Sequence, residues 1–265
     1  MVLSGHSFGG YVAVAYAERY PERVDRIILL SPFGVQDPSD PSSQSRMERF
    51  RSSLRGQIFI GIFKTMFDWT TPGSVIRSFS EQRGSSMSRS YVERRLPEIT
   101  DVEESRTLAD FLYLSVAIPP SGEYFLRSLF TSSMFAKNPL LLRIPSLKVK
   151  SVDFMYGTTD WMDIAGGMYT EALCHRLSQQ QDNGSSSSLS TPEVNVFLVP
   201  NAGHLLILQN PEIVNACIIR IAGGKVKVPE ENMPTLMGLD KTKELDESWL
   251  HRAREISDER QKSIE

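Results

Sequence analysis

The sequence predicts an α/β fold built around a parallel sheet, and two observations carry this prediction. The first 31 residues contain an apolar strand, a glycine-rich turn, a helix and a second apolar strand, which together make a βαβ unit. Two later apolar runs, at 149–156 and 194–199, have the composition of strands in such a sheet. A chain of 265 residues with 40% hydrophobic side chains can form one or two domains with a core.

The composition excludes several classes of function. The 29 Lys and Arg residues against 32 Asp and Glu residues give a net charge of −3, which lacks the basic character of a nucleic-acid-binding chain. Cys174 and Cys217 are too few and too far apart for a disulfide framework or a structural zinc site. No apolar run approaches the roughly 18 residues of a membrane span, and 1–7 lacks the features of a signal peptide. We therefore expect a soluble or membrane-peripheral protein with no metal, no cofactor and no nucleic-acid partner.

The first half of the chain predicts the βαβ unit and then a long helical insertion. Met1 to Ser4 is the end of a strand, helical spacing follows from Tyr11 to Arg19, and Pro21 ends the helix before a strand at 24–31. The insertion extends from Phe33 to about Lys150. Its predicted helices are an apolar stretch at 58–69, then 87–96, 102–117 and one that begins near Ser121 and runs toward Phe135.

The second half returns to sheet and helix. A strand at 149–156 precedes a helix near 168–180, a polar loop at 181–192 and a strand at 194–199. A last helix is predicted at 211–221. The stretch from Pro229 onward is rich in charge, which is typical of a solvated helix or a disordered tail.

The sequence Gly5-His6-Ser7-Phe8-Gly9, between a strand and a helix, has the Gly-x-Ser-x-Gly pattern of a nucleophile elbow. Such a turn exposes the serine hydroxyl. We expect glycine at both flanks because side chains there would collide with the neighbouring strand and helix. The backbone N–H of Phe8, at the start of the helix, is the expected oxyanion donor.

A serine nucleophile needs a histidine base, and the histidine needs a carboxylate that fixes its tautomer. Of the four histidines, His204 follows a strand in a loop, whereas His175 and His251 fall in predicted helices and His6 lies within the elbow. Asp160 follows the preceding strand, which gives the chain order Ser, Asp, His that this kind of elbow requires. Asp163 on the same loop is the alternative acid, and either aspartate can instead cap the next helix.

The segments GHSFGGYVAVAYAERYPERV, YGTTDWMD and PNAGH resemble the α/β-hydrolase superfamily across most of 1–224. The segments SPFGV, SGEYFLRSLF and AKNPLL further resemble a lipid-acting subgroup. That subgroup contains lysophosphatidic acid acyltransferases, lipase co-activators, N-acyl phospholipid hydrolases and the fungal cardiolipin-specific deacylase. The resemblance implies acyl-ester chemistry on lipids, with Ser7, Asp160 and His204 as the catalytic triad.

The sequence departs from this subgroup in two respects. Members with acyltransferase activity carry an HxxxxD motif. The corresponding segment of this chain is HLLILQ, with Gln209 in the place of the aspartate. The resemblance also begins at the fifth strand of a fold that normally has eight. We therefore expect the C-terminal half of an α/β-hydrolase sheet whose first strands are absent. The two explanations are an N-terminally truncated gene model that begins at an internal methionine and a degenerate fragment that only binds.

The predicted organisation has four parts. Residues 1–32 carry the elbow, 33–148 form a helical lid, 149–224 complete the core with the acid and histidine loops, and 225–265 form a charged tail. The apolar stretch of the lid, 56–69, either packs on the core or lies in a lipid interface. The arginines before it either contact lipid phosphates or lie on a solvated helix face; they are Arg46, Arg49, Arg51 and Arg55.

These features predict a serine hydrolase that cleaves acyl esters of phospholipids or other lipids and needs no cofactor. The alternatives are a lysophosphatidic acid acyltransferase and a non-catalytic scaffold in lipid homeostasis. The resemblance implies an intracellular protein at a mitochondrial, endoplasmic reticulum or lipid-droplet surface, with a targeting segment missing from this chain.

Overall fold

A computed structural model describes residues 1–36, 70–119, 122–131, 135–182, 191–226 and 235–236. The chain divides into two compact units, one of 1–43 together with 138–265 and one of 44–137. The predicted apolar stretch at 58–69, the arginines at 46–55 and most of the charged tail lie outside the described residues.

The first unit is organised around a five-stranded sheet. Its strands are β1 (Val2–His6), β2 (Arg26–Leu30), β3 (Ser151–Gly157), β4 (Glu193–Val199) and β5 (Thr235–Leu236). They lie in the order β1-β2-β3-β4-β5, with β1 to β4 parallel and β5 antiparallel to β4. Because the carboxyl ends of parallel strands meet at one edge of a sheet, the loops after β1, β3 and β4 leave from the same side. The α/β fold with a parallel sheet is thus confirmed.

The central strands are apolar because both of their faces are covered. Ile27, Ile28 and Leu29 of β2 are fully buried, and every residue of β3 is buried. One buried charge interrupts β3 at Asp153, where the carboxylate accepts hydrogen bonds from the Ser151 hydroxyl at 2.8 Å and the Asn195 amide at 3.0 Å. Such a pairing is required because an unpartnered buried carboxylate is strongly unfavourable.

The helices of the first unit flank this sheet. They are α1 (Phe8–Arg19), α6 (Leu140–Arg143), α7 (Ala165–Asp182), α8 (Leu206–Gln209) and α9 (Pro211–Ile221). The bounds of α9 are those predicted. The Asn210 side chain accepts a hydrogen bond from the Ile213 N–H, and Pro211 follows it at the first helical position. Both features are standard helix start signals.

The second unit is helical in its described part. It contains α2 (Pro72–Arg77), α3 (Glu81–Arg95), α4 (Val102–Ala117) and α5 (Leu126–Leu129). The bounds of α4 match the prediction, and Asp101 caps its first turn by accepting from the Glu104 N–H at 2.8 Å.

The predicted helix from Ser121 toward Phe135 is wrong. Glu123–Phe125 forms a 3₁₀ turn, and α5 then lasts four residues. At Phe130 the backbone is extended and forms an antiparallel bridge with Ala136, so the helix does not continue past α5. The Phe130 side chain is buried.

The residues that follow the helical unit pack in the first unit. Leu140, Leu141 and Leu142 of α6 are buried, and the Arg143 guanidinium makes a two-pronged ion pair with Glu18 of α1 at 2.9 and 2.5 Å. These residues belong to the first unit, and the second unit ends at residue 137. No helix in the described ranges has the length and apolar character needed to cross a bilayer.

Candidate active site

The turn between β1 and α1 holds Ser7 in a strained conformation. Its φ of 53° lies in the left-handed region, which a non-glycine residue rarely adopts. Three hydrogen bonds keep the turn in place: the Ser7 N–H donates to the Leu30 carbonyl at 2.9 Å, and the Ser7 carbonyl accepts from the N–H groups of Gly10 and Phe33, each at 3.0 Å. Strain of this kind persists only where the surroundings enforce it.

The glycines of the elbow do not share one role. A methyl group on Gly5 would lie 2.4 Å from the Gly9 carbonyl oxygen, so a side chain is excluded there. A methyl group on Gly9 would meet nothing within 4 Å. The expectation that a side chain would collide at both flanks is therefore wrong for Gly9. The backbone carbonyl of Gly9 faces Gly5, whereas the position that a Cβ of residue 9 would occupy is open. The tight position that the pattern does not include is Gly10, where a methyl group would lie 3.1 Å from the Pro32 Cβ.

Three side chains from three separate loops come together beside this turn. The His204 Nε2 lies 3.1 Å from the Ser7 Oγ, and the His204 Nδ1 lies 3.3 Å from the Asp160 Oδ1. A carboxylate only accepts, so Nδ1 carries the proton in this contact and Nε2 is left to accept from the Ser7 hydroxyl. The arrangement can remove a proton from Ser7.

Asp160 is held as a carboxylate by its surroundings. Burial favours the neutral acid, but hydrogen bonds from His204, from the Ser31 hydroxyl and from the Met162 N–H outweigh it, so the pKa of Asp160 lies below its usual value. The Ser31 contribution is weaker than a full hydrogen bond, because neither the Ser31 Oγ nor the Asp160 Oδ2 has a partner at good distance and angle. The side chain of Asp160 is 1% exposed and that of His204 is 17% exposed.

Asp163, the alternative acid, has a different contact. Its Oδ1 accepts a hydrogen bond from the Ala165 N–H at 3.0 Å, at the start of α7. This is the helix-capping contact that either aspartate was able to make. The distances bring Asp160, and not Asp163, to the His204 ring.

The loop that carries His204 is fixed by hydrogen bonds to the acid loop and to the helix α8. The Thr159 N–H and hydroxyl both donate to the Ala202 carbonyl, at 2.9 and 3.1 Å. Gln209, the residue that ends HLLILQ, accepts from the Gly203 N–H at 2.6 Å. Gly157 allows the close approach, because a methyl group there would lie 2.2 Å from the Ala202 oxygen. The position of His204 therefore depends on residues of the acid loop and of α8.

Two aromatic rings flank the His204 imidazole, and the sequence pattern predicted neither contact. The His6 ring lies 4.9 Å from it, and the His6 Nε2–H donates to the His204 carbonyl at 2.7 Å. Burial lowers the pKa of His6, with the hydrogen bond to the carbonyl acting in the opposite direction. The Trp161 ring lies 4.8 Å from His204 on the acid loop. His6 directly precedes Ser7 and Trp161 directly follows Asp160 in the sequence, and this adjacency is the signal by which both contacts could have been predicted.

Phe8 begins α1, which places its backbone N–H at the helix end where the macrodipole stabilises negative charge. This is the location expected for an oxyanion donor. Among the described residues, no group of three or more His, Cys, Asp and Glu side chains is arranged to hold a metal ion.

The alpha/beta hydrolase fold family matches residues 1–211, and the chain belongs to that family. Its relatives include enzymes named for reactions on lipids. An Arabidopsis thaliana protein named 1-acylglycerol-3-phosphate O-acyltransferase is 29% identical over 79% of this chain and 46% of its own length. The mouse (lyso)-N-acylphosphatidylethanolamine lipase is 26% identical over 83% of this chain and 58% of its own. The chain thus spans about half the length of the curated relatives it matches.

Solved structures similar to this chain include carboxylesterase CesB from Bacillus subtilis. That structure has a TM-score of 0.41 and 19% identity, and the match covers 84% of this chain and 60% of the esterase. A second, the naproxen esterase of the same organism, has a TM-score of 0.45 and 15% identity over 83% and 59% of the two chains.

Proposed function

We propose that this protein is a serine hydrolase that cleaves acyl esters of phospholipids or other lipids. The observation that carries the proposal is the continuous line of contacts from the Ser7 Oγ through the His204 ring to the buried Asp160 carboxylate. A serine hydroxyl is a weak nucleophile at neutral pH, and a base within hydrogen-bond distance activates it.

In the acylation step, the Ser7 Oγ attacks the ester carbonyl carbon while its proton moves to the His204 Nε2. The carbonyl oxygen becomes an oxyanion, which the Phe8 N–H at the start of α1 helps to stabilise. The imidazolium then gives its proton to the departing alcohol as the carbon–oxygen bond of the ester breaks. Asp160 stabilises the imidazolium and keeps the Nδ1 proton in place.

Deacylation repeats these steps with water in place of the serine. His204 removes a proton from water, the resulting hydroxide attacks the acyl-enzyme, and the imidazolium returns the proton to the Ser7 oxygen. The products are a fatty acid and free enzyme. No metal or cofactor takes part in this scheme.

The lipid substrate class is supported by the names of the relatives. An acyltransferase for 1-acylglycerol-3-phosphate and a lipase for N-acylphosphatidylethanolamine both handle acyl groups on a glycerophospholipid. The ester of a glycerophospholipid is the chemical group shared by these two substrates. It is the first class of compound to assay.

A second candidate is an acyltransferase that gives the acyl group to a lysophospholipid alcohol instead of water, and the name of the Arabidopsis relative favours it. Gln209 weighs against it. This residue occupies the place of the aspartate in HxxxxD, and its side-chain oxygen is engaged by the Gly203 N–H. An aspartate is one methylene shorter, so this contact is specific to the longer side chain.

The test is fluorophosphonate labelling together with product analysis on phospholipid esters. We expect labelling at Ser7, its loss in Ser7→Ala, and normal labelling in the matched control Ser90→Ala, which changes an exposed serine of α3. Fatty acid should exceed transferred acyl product when both water and lysophosphatidic acid are present. Ester hydrolysis that persists in Ser7→Ala would refute the proposal. Transferred product in excess would favour the acyltransferase, and folded protein without labelling would favour the scaffold.

A further inference from the structure

The feature that neither the triad nor the elbow explains is the placement of Trp161. This side chain is 60% exposed, which is unusual for the largest apolar residue, yet its ring packs on the His204 imidazole at 4.8 Å with an angle of 48° between the planes. The contact is with the one ring of the site that changes charge during the proposed reaction.

The acid loop is built in a way that fixes this contact. The Asp160 Oδ1 that faces the His204 Nδ1 also accepts a hydrogen bond from the Met162 N–H at 2.9 Å. This turn holds the backbone on both sides of Trp161, so the carboxylate that orients the imidazole also fixes the backbone from which the indole projects. The Thr159 contacts with Ala202 join the same loop to the loop of His204. The indole and the imidazole are therefore held by one set of hydrogen bonds.

We propose that Trp161 stabilises the protonated, imidazolium form of His204 and so acts as a positioning residue for the reaction. The face of an aromatic ring carries negative charge density and attracts a cation within about 6 Å of its centroid. The contact strengthens when the Ser7 proton arrives at Nε2 and weakens when the proton leaves. Because it is stronger in the charged state, it lowers the barrier and does not merely hold the ground state.

The other titratable groups that face the His204 ring, among the described residues, are Asp160 and His6. Asp160 stabilises the imidazolium by its charge, from the Nδ1 side. His6 donates its Nε2–H to the His204 carbonyl, and burial favours its neutral form, so it adds no positive charge near neutral pH. Trp161 thus adds an aromatic contact with the His204 ring from a side chain that does not itself titrate.

Removing the indole has a calculable consequence. Trp161→Leu should lower the acylation rate about two- to fivefold and move the titration of His204 to lower pH by about 0.4 to 0.7 unit, the range of exposed cation–π contacts. The sign follows because losing a contact with the cation favours the neutral ring. Trp161→Phe keeps an aromatic face and should retain most of the effect.

The experiment is a histidine titration by NMR on the whole chain, as wild type, Trp161→Phe, Trp161→Leu and the control Ile207→Ala. Ile207 is an exposed apolar residue of α8, three positions after His204, so its loss tests for a general effect of apolar exposure. Comparison with His204→Gln assigns the resonance. We expect the pH midpoint of the His204 titration to decrease in the order wild type, Trp161→Phe, Trp161→Leu, and to stay at the wild-type value in Ile207→Ala. An unchanged midpoint in Trp161→Leu, or an equal shift in Phe and Leu, would overturn the proposal.

A second measurement needs no substitution of Trp161. The chain has three tryptophans, and Trp69→Phe with Trp249→Phe leaves Trp161 as the single emitter. Protonation of a touching imidazole quenches indole fluorescence, so emission should fall on acidification, and His204→Gln should abolish the step while His6→Gln leaves it. Emission that does not titrate, or a step that survives in His204→Gln, would overturn the contact.

The predicted effect of Trp161→Leu on the acylation rate rests on the proposed hydrolase function. Neither the NMR titration nor the fluorescence titration depends on that function. Titrations as expected without Ser7 labelling would refute the hydrolase and support the Trp161 contact. Labelling at Ser7 with an unchanged His204 midpoint would refute the Trp161 proposal alone.

Discussion

Replacing each aspartate of the acid loop by asparagine separates their roles. The Asp160 Oδ1 faces the His204 Nδ1 at 3.3 Å and accepts from the Met162 N–H at 2.9 Å. Two donors at one oxygen mean that an asparagine at 160 places its amide oxygen there and not its NH₂ group. The Nδ1–H tautomer of His204 is then kept, and the variant loses the negative charge alone.

The magnitude follows from the geometry. Two unit charges 3.3 Å apart interact by about 5 kcal/mol at an effective dielectric constant of about 20, and the neutral amide keeps roughly 1 to 2 kcal/mol of this as a hydrogen bond. The remaining 3 to 4 kcal/mol corresponds to a rate loss of about 10² to 10³. A loss of about 10⁴ would instead indicate the wrong tautomer.

The assay is the rate of Ser7 labelling and of ester hydrolysis in Asp160→Asn and Asp163→Asn. Asp163→Asn should stay within about threefold of wild type, because asparagine caps a helix start as well as aspartate does. Equal losses in the two variants, or a loss of less than about tenfold in Asp160→Asn, would refute the assignment of Asp160 as the acid.

Three further predictions concern stability and are measured by thermal or urea unfolding. Gly5→Ala should destabilise the fold by about 1–3 kcal/mol because its methyl group would lie 2.4 Å from the Gly9 oxygen. Gly9→Ala places its methyl group in open space in α1 and should be neutral or stabilising, and equal effects of the two substitutions would contradict the geometry. Burial raises the pKa of Glu171 to about 7, so the folded state binds one proton more than the unfolded state between pH 4.5 and 7, and the free energy of unfolding falls as pH rises through this range. Glu171→Gln should raise the free energy of unfolding on the order of 1 kcal/mol at pH 8, after allowance for partial exposure, and leave it unchanged at pH 4.5. The lowered pKa of His6 has the opposite effect on stability, since the unfolded chain binds more protons below pH 6.5 and the free energy of unfolding falls on acidification. His6→Gln should keep the hydrogen bond to the His204 carbonyl and remove this pH dependence, and an unchanged pH slope of stability would contradict the prediction.

The sequence was sufficient where local chemistry decides the structure. The spacing of apolar residues predicted the bounds of α4 and α9, and the structure adds the caps at Asp101 and Asn210. It failed between Ser121 and Phe135, where the backbone becomes extended at the buried Phe130 and pairs with Ala136, a pairing that apolar spacing does not indicate.

The order of a serine elbow, an acid loop and a histidine loop along the chain is a property of the sequence alone, because each follows a strand of the predicted sheet. Which aspartate meets the histidine, why Gly5 and not Gly9 excludes a side chain, and how His6, Trp161 and Gln209 contact the base or its loop were decided by the tertiary structure. These contacts join residues up to 198 positions apart across the edge of a parallel sheet. Periodicity and turn propensity act over a few residues, so they bring each loop to that edge but do not determine which side chains meet there.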